Sequence, residues 1–309
     1  MVTKRSYHIF TFLSMETGKN KPKLLVIVGP TATGKTDLAI FLAKKFNGEL
    51  IAADSRTIYK GMDIGTGKDK SFPHRLIDVV RPDQTLNLAD YKAKALAAIR
   101  AAAKKGKLPI LAGGTGLYVW AVVDNLLIPK VPPNEKMRAE LEKKTALQLL
   151  KLLASIDPAA AKVTGENKRR IIRAIEVITL SGEKFSEATQ KGEPLFDCLQ
   201  IGLTVPRKEL AELINKRVET MMKAGFMNEV MELRKKLYPP ELPAMSGIGY
   251  AELNAVIDGK QSLPDAIERI KARTRQYARR QMTWFKRDKR IIWLDEPKKA
   301  TALVKEWLK

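Results

Sequence analysis

The sequence has a single cysteine, Cys198, and two histidines, His8 and His74. One thiol builds neither a disulfide framework nor a cysteine zinc cluster, and two imidazoles do not make a histidine-based structural metal site. Acids are scarce as well: 34 against 56 lysines and arginines, a formal charge of +22. No apolar run approaches the roughly 20 residues of a bilayer-spanning helix, so no membrane association is expected. No internal repeat or low-complexity tract occurs in the 309 residues, a length that supports one large or two ordinary domains.

The positive excess is an argument about partners rather than fold. It sets up a field that attracts polyanions, nucleic acid first among them. A solvated lysine-rich surface gives the same total, so placement must decide. Residues 1–22 contain no acid before Glu16, and scattered Lys, Arg, Ser and Thr. That composition also suits a transit peptide. The expectation adopted is a disordered extension, with Met15 as an alternative start.

What is present is a series of short apolar runs: "LLVIVG" at 24–29, "ELIAAD" at 49–54, "HRLIDVV" at 74–80, "LPILAGG" at 108–114, "LQIGLTV" at 199–205 and "RIIWLD" at 290–295. Helical patterns such as the alanine-rich stretch 88–105 lie between several of them. Near-continuous hydrophobicity alternating with helices predicts an α/β fold with a parallel sheet covered on both faces. Residues 130–190 break the rhythm: they open with "PKVPP" and show only helical patterning. They are expected to form a smaller all-helical insertion within a core of residues 23–129 and 191–309, which ends in long helices and a last strand.

Gly29-Pro30-Thr31-Ala32-Thr33-Gly34-Lys35-Thr36 follows the first strand and opens a helix. This is the P-loop pattern in its expected context, so the sheet is expected to be of the P-loop NTPase type. Glycines let amides curl round an anion, the helix N-terminus adds partial positive charge, and Lys35 supplies a full one. Thr36 offers a hydroxyl to Mg2+. The loop recognises a diphosphate-like anion, whether or not that anion belongs to ATP.

Asp54 ends the second strand, at the carboxyl edge where open α/β sheets bind ligands. It is read either as a base or magnesium ligand or as a helix N-cap. Two glycines and Thr115 end the fourth strand at the same edge. Arg217 shares a helical stripe with Leu210, Ile214 and Met221, and either snorkels outward or reaches inward to an anion. From Arg269 to Arg290 cations alternate with Tyr277, Trp284 and Phe285; the aromatics are expected to face the core and the cations RNA phosphates.

Together these pieces resemble one family, the tRNA dimethylallyltransferases, also called tRNA isopentenyltransferases. The matching stretches are "GPTATGKT" at 29–36, "DSRTIYKGMDIGTGK" at 54–68, "PHRLIDV" at 73–79 and "GGTGLY" at 113–118, followed by "RRIIRAIEV" at 169–177, "GIGY" at 247–250 and "TRQYARRQMTWF" at 274–285. The resemblance implies that the loop holds dimethylallyl diphosphate. It implies transfer of the prenyl group to N6 of adenosine 37, beside the anticodon of tRNA, with diphosphate released. By the same resemblance Thr31, Lys35, Thr36 and Arg217 contact the diphosphate, Asp54 takes the N6 proton, and Thr115 sits near the target base. Contact with tRNA is implied for Asp54, Ser55, Arg56, Thr57, Arg138, Arg169, Arg170, Ile171, Ile172 and Arg173, and for the turn Ser246, Gly247, Ile248, Gly249, Tyr250 and Ala251. Thr57 stands where many relatives carry glutamine, and no Cys–His cluster matches the zinc finger of eukaryotic relatives. The expectation is a bacterial-type, cytoplasmic, monomeric enzyme.

On residues alone two rivals remain: a P-loop kinase with Asp54 as base, and a non-catalytic RNA-binding protein with a relic loop. The kinase explains neither the Arg269–Arg290 run nor the charge of +22; the RNA-binding protein predicts that replacing Lys35 leaves every cellular phenotype intact.

Overall fold

The computed structural model describes residues 21–309; the expectation for the extension lies outside them except at residues 21 and 22. Six strands form one all-parallel sheet in the order β3-β2-β4-β1-β5-β6. They are β1 (Lys23–Val28), β2 (Gly48–Ala52), β3 (His74–Arg75), β4 (Leu108–Gly113), β5 (Asp197–Leu203) and β6 (Ile292–Leu294). The run Leu24–Val28 has no solvent exposure at any residue, which is why it reads as continuous rather than alternating hydrophobicity. Pairing begins just before β1, where the Pro22 carbonyl accepts from the Asp197 amide at 3.0 Å.

One face of the sheet is covered by α2 (Leu88–Lys104) and α3 (Gly116–Val123), the other by α1 (Lys35–Lys45). Two expectations need correction. The run 74–80 gives only two strand residues, because Leu76 and Asp78 adopt φ of 67° and 54° and break the extended chain. The chain also does not end on a strand: a terminal helix, Ala300–Leu308, follows β6 and buries Ala300 and Val304 against the α1 face.

Between α3 and β5 no strand occurs among the described residues. Five helices pack round Leu141, Leu149, Leu153, Ile171 and Ile175 as a core of their own. They are α4 (Glu135–Glu142), α5 (Ala146–Ile156), α6 (Pro158–Thr164), α7 (Lys168–Ser181) and α8 (Phe185–Ala188). The two segments joining them to the sheet lie side by side: the Leu127 amide donates to the Gln190 carbonyl at 2.8 Å, and Lys191 meets the buried Asp124 at 2.9 Å.

After β5 the chain forms α9 (Arg207–Lys223), α10 (Phe226–Lys235), α11 (Tyr250–Ile257) and α12 (Leu263–Phe285), numbered before the terminal helix, α13. These pack with Ile58, Tyr59 and Met62 into another cluster centred on Phe226, Tyr250 and Leu253. That cluster fixes the long loop after β2 over the carboxyl edge of the sheet.

Candidate active site

Neighbouring strands β2, β4 and β1 end at one edge, with Ala52 beside Ala112 and Val28 beside Gly113. Parallel pairing therefore brings the P-loop, Asp54 and the Gly114–Thr115 turn to one edge of the sheet. In the loop Gly34 takes the left-handed φ of 77° that leads into α1, a conformation glycine adopts without a Cβ penalty. Pro30 has no N–H to offer an anion. Its carbonyl instead accepts from the Thr33 hydroxyl at 3.0 Å and from Lys35 Nζ at 3.2 Å. Thr33 is 8% exposed, so only its amide remains for a ligand. The Thr36 hydroxyl makes no hydrogen bond among the described residues.

Burial pulls the Lys35 ammonium down to a pKa of about 8; Asp54 opposes that shift and Arg217 adds to it. The residue lies within electrostatic reach of a carboxylate and a second cation. The Arg217 guanidinium is likewise lowered by burial, with Asp54 and then Asp37 pulling the other way. Arg217 makes no hydrogen bond or ion pair among the described residues. It reaches inward to Gly67, where an added Cβ would lie 1.8 Å from Nη2, and Gly67 has φ of 62°. Of the two readings of Arg217, the structure has the inward one. The half-buried guanidinium is thus left without a protein anion at bonding distance among the described residues.

Asp54 begins no helix. Its Oδ1 accepts from the Arg56 amide at 2.8 Å, an Asx turn, while Oδ2 has no bond among the described residues. Thr115 accepts from the Ser55 amide at 2.9 Å and donates to the Ser55 hydroxyl at 3.3 Å, locking the Asp54 loop to the end of β4. Tyr277 of α12 closes the same corner. Burial raises its phenol pKa, the Asp54 charge adds to that, and a bond with Thr115 works against it.

The residues expected at RNA divide sharply. Ile171 and Ile172 are 0% and 4% exposed, inside the core of the helical insertion; a β-branched residue buried there reaches no solvent. Arg138 and Arg173 are engaged too. Arg138 forks onto Glu176 with two bonds of 2.9 Å, and Arg173 meets the same carboxylate at 2.6 Å and the Val131 carbonyl at 2.9 Å. Glu176 is fully buried, so these arginines hold the insertion together. Arg169 and Arg170 remain exposed, without a side-chain partner among the described residues.

Arg56 also has an internal role: its guanidinium donates to Pro243 O at 3.0 Å and Ala244 O at 3.4 Å, and reaches the Ser246 hydroxyl at 3.5 Å. It ties the Asp54 loop to the 246–251 turn. In that turn Gly247, Gly249 and Tyr250 are buried, leaving Ser246, Ile248 and Ala251 at least partly accessible. The Tyr250 hydroxyl donates to Glu229 at 2.6 Å, and Glu229 also accepts the amides of Asp63, Ile64 and Gly65 at 2.8, 2.7 and 3.1 Å. Glu229 thus clamps the loop that presents Gly67 to Arg217.

The basic run along α12 and the turn after it splits in two. Lys271, Arg273 and Arg275 are paired with Glu219 and Glu268, Glu252, and Asn215 respectively. Arg279, Lys286, Arg287 and Lys289 are exposed and unpaired among the described residues. Phe285 is fully buried and Trp284 packs on Trp120 with centroids 4.6 Å apart. The residues that sequence reasoning missed, Gln281, Glu229 and Glu176, are polar groups turned inward from helices; Tyr277 is expected from sequence only as a core aromatic. Gln281 carried a signal: it stands on the apolar stripe of Ala278 and Phe285.

Fold and site define an α/β protein of P-loop-like fold in which Lys35 of the loop lies within electrostatic reach of Asp54 and Arg217. Residues 57–288 match the family model described as IPP transferase, and residues 22–81 that of isopentenyl transferase. A curated tRNA dimethylallyltransferase of Pelotomaculum thermopropionicum is 43% identical over 91% of this chain and 93% of its own length. One from a Roseiflexus strain is 43% identical over 92% and 98%. Among solved structures, the full-length tRNA isopentenylpyrophosphate transferase of Bacillus halodurans aligns with TM-score 0.67 at 38% identity, covering 89% of this chain and 90% of that one. A eukaryotic dimethylallyltransferase acting on tRNA aligns with TM-score 0.72 at 30% identity, over 85% and 70%. The chain belongs to the IPP transferase family.

Proposed function

We propose that this protein transfers the dimethylallyl group of dimethylallyl diphosphate to N6 of adenosine 37 in tRNA, releasing diphosphate. The observation that carries the reading is the placement of Lys35 and Arg217, neither paired with a protein carboxylate at bonding distance, within electrostatic reach of Asp54. Family membership supplies the substrate class, since the matched relatives are named for acting on tRNA.

In this reading the bond between the prenyl carbon and the diphosphate oxygen breaks with its electron pair on oxygen. The N6 lone pair forms the new C–N bond, and the N6 proton passes to the Asp54 carboxylate. Adenine N6 is a poor nucleophile because its lone pair is delocalised into the ring. Catalysis therefore rests on stabilising the departing charge and on placing N6 beside the carbon. Lys35, Arg217 and the loop amides do the first; the Ser55–Thr115 lock and Tyr277 shape the pocket for a base flipped out of its stack.

The unpartnered Thr36 hydroxyl fits a hard cation held mainly by diphosphate oxygens. Mg2+ there would supply further neutralisation of the leaving group. No three His, Cys, Asp or Glu side chains converge on a metal site among the described residues.

The anticodon stem-loop is read as lying across Arg169, Arg170 and the unpaired cations at and beyond the end of α12. A cytoplasmic monomer acting on one tRNA completes the proposal; no described helix is long and apolar enough to cross a membrane. Nucleoside mass spectrometry of tRNA incubated with the protein and dimethylallyl diphosphate tests it. Prenylated adenosine without added ATP supports the reading; brisk ATP hydrolysis with no prenyl transfer overturns it.

A further inference from the structure

Gln281 lies on α12, 5% exposed, and touches both walls of the cradle. Its Oε1 accepts the Thr31 amide at 2.9 Å, and its Nε2 donates to the Gly114 carbonyl at 2.9 Å. The orientation of the amide is fixed by chemistry, since Thr31 N–H only donates and the Gly114 carbonyl only accepts. The approach is close: a Cβ on Gly114 would stand 2.2 Å from Nε2 and 3.7 Å from Lys35 Cε. One side chain thus spans the turn after β1 and the turn after β4, beside the lysine of the cradle. A few residues along, the opposite face of the same helix carries the exposed Arg279, and the exposed Lys286 and Arg287 follow just beyond its last residue.

We propose that Gln281 is a positioning residue for prenyl transfer: it holds the Thr31 turn at the distance from the Gly114–Thr115 turn that the reacting pair requires, and links the RNA-facing helix to the diphosphate cradle. The inference rests on the function proposed above. A buried amide that both donates and accepts has no apolar or acidic equivalent. Leucine leaves the Thr31 amide and the Gly114 carbonyl unpaired. An ionised carboxylate accepts from Thr31 but has nothing to donate to Gly114, and it puts negative charge beside the departing diphosphate. Protonated, that carboxyl has one O–H and one carbonyl oxygen and reproduces both bonds.

The test measures steady-state prenyl transfer by wild type, Gln281→Glu and Gln281→Leu from pH 5.5 to 8.5, with tRNA affinity and melting temperature measured alongside. At pH 8 both variants should lose about 10²-fold in kcat/KM for dimethylallyl diphosphate, the scale of a roughly 1 Å misplacement of reacting groups. Affinity for tRNA should stay within about twofold, because Gln281 does not reach the RNA face. The activity of Gln281→Glu relative to wild type should rise as pH falls, while that of Gln281→Leu relative to wild type stays flat. Equal pH-independent losses in both variants, or lower melting temperatures with unchanged kinetics, would reduce Gln281 to a structural contact. Absence of prenyl transfer by wild type would instead overturn the proposed function, so the two failures are distinct.

Discussion

The guanidinium of Arg217 lies against the backbone of Gly67, so near that a Cβ at position 67 would stand 1.8 Å from Nη2. Gly67 belongs to the loop that Glu229 holds through three successive amides. The loop after β2 therefore does more than carry Asp54: it is the surface that turns a helical arginine inward.

Gly67→Ala should displace Arg217 and strain a backbone at φ 62°. The expected result is a fall of about 10²-fold in kcat/KM for dimethylallyl diphosphate, with tRNA affinity unchanged. Kinetics at saturating tRNA, paired with filter binding of tRNA, checks both halves.

The pH dependence of diphosphate binding should report Lys35. Its pKa of about 8 means the free protein carries the cation below that pH and loses it above. The dissociation constant for dimethylallyl diphosphate should rise as pH passes upward through about 8, and Lys35→Met should remove that dependence. The linkage to stability has the opposite sign. The folded pKa lies below the unfolded one, so the unfolded chain binds more protons between the two values and stability rises with pH there. Lys35→Met should accordingly leave the melting temperature at neutral pH unchanged or higher.

The arginines of the insertion should separate into two kinds. Arg138→Ala leaves the fully buried Glu176 with one fewer partner and should destabilise the protein by about 3 kcal/mol, the low end for a broken buried pair, since Arg138 is 34% exposed. Urea unfolding measures this. Replacing Arg169 and Arg170 together should leave stability alone and instead weaken tRNA binding, with the slope of log affinity against log salt reduced by about 1.5. An unchanged slope would make them ordinary surface residues.

Sequence reading located the strands because a parallel sheet buried on both faces demands unbroken apolar runs, as in Leu24–Val28. It placed the P-loop because strand, glycines and helix occur together within a few residues. The limits were set by distance along the chain. Gln281 meets Thr31 across 250 residues and Glu229 meets Asp63 across 166, and no local periodicity encodes such pairs. The resemblance implies tRNA contact for Arg138 and Arg173, but the buried Glu176 that binds both guanidiniums is not legible in the sequence. The resemblance also implies tRNA contact for Ile171 and Ile172, whereas both pack with Ile175 in the core of the insertion.

The most direct measurement of the central claim is single-turnover prenyl transfer by Asp54→Ala, with both substrates saturating and tRNA affinity determined in parallel. With Asp54 as the acceptor of the N6 proton, the rate should fall by about 10²–10⁴-fold while tRNA binding stays within about twofold. Turnover equal to wild type, or a loss carried wholly by weaker tRNA binding, would contradict the account.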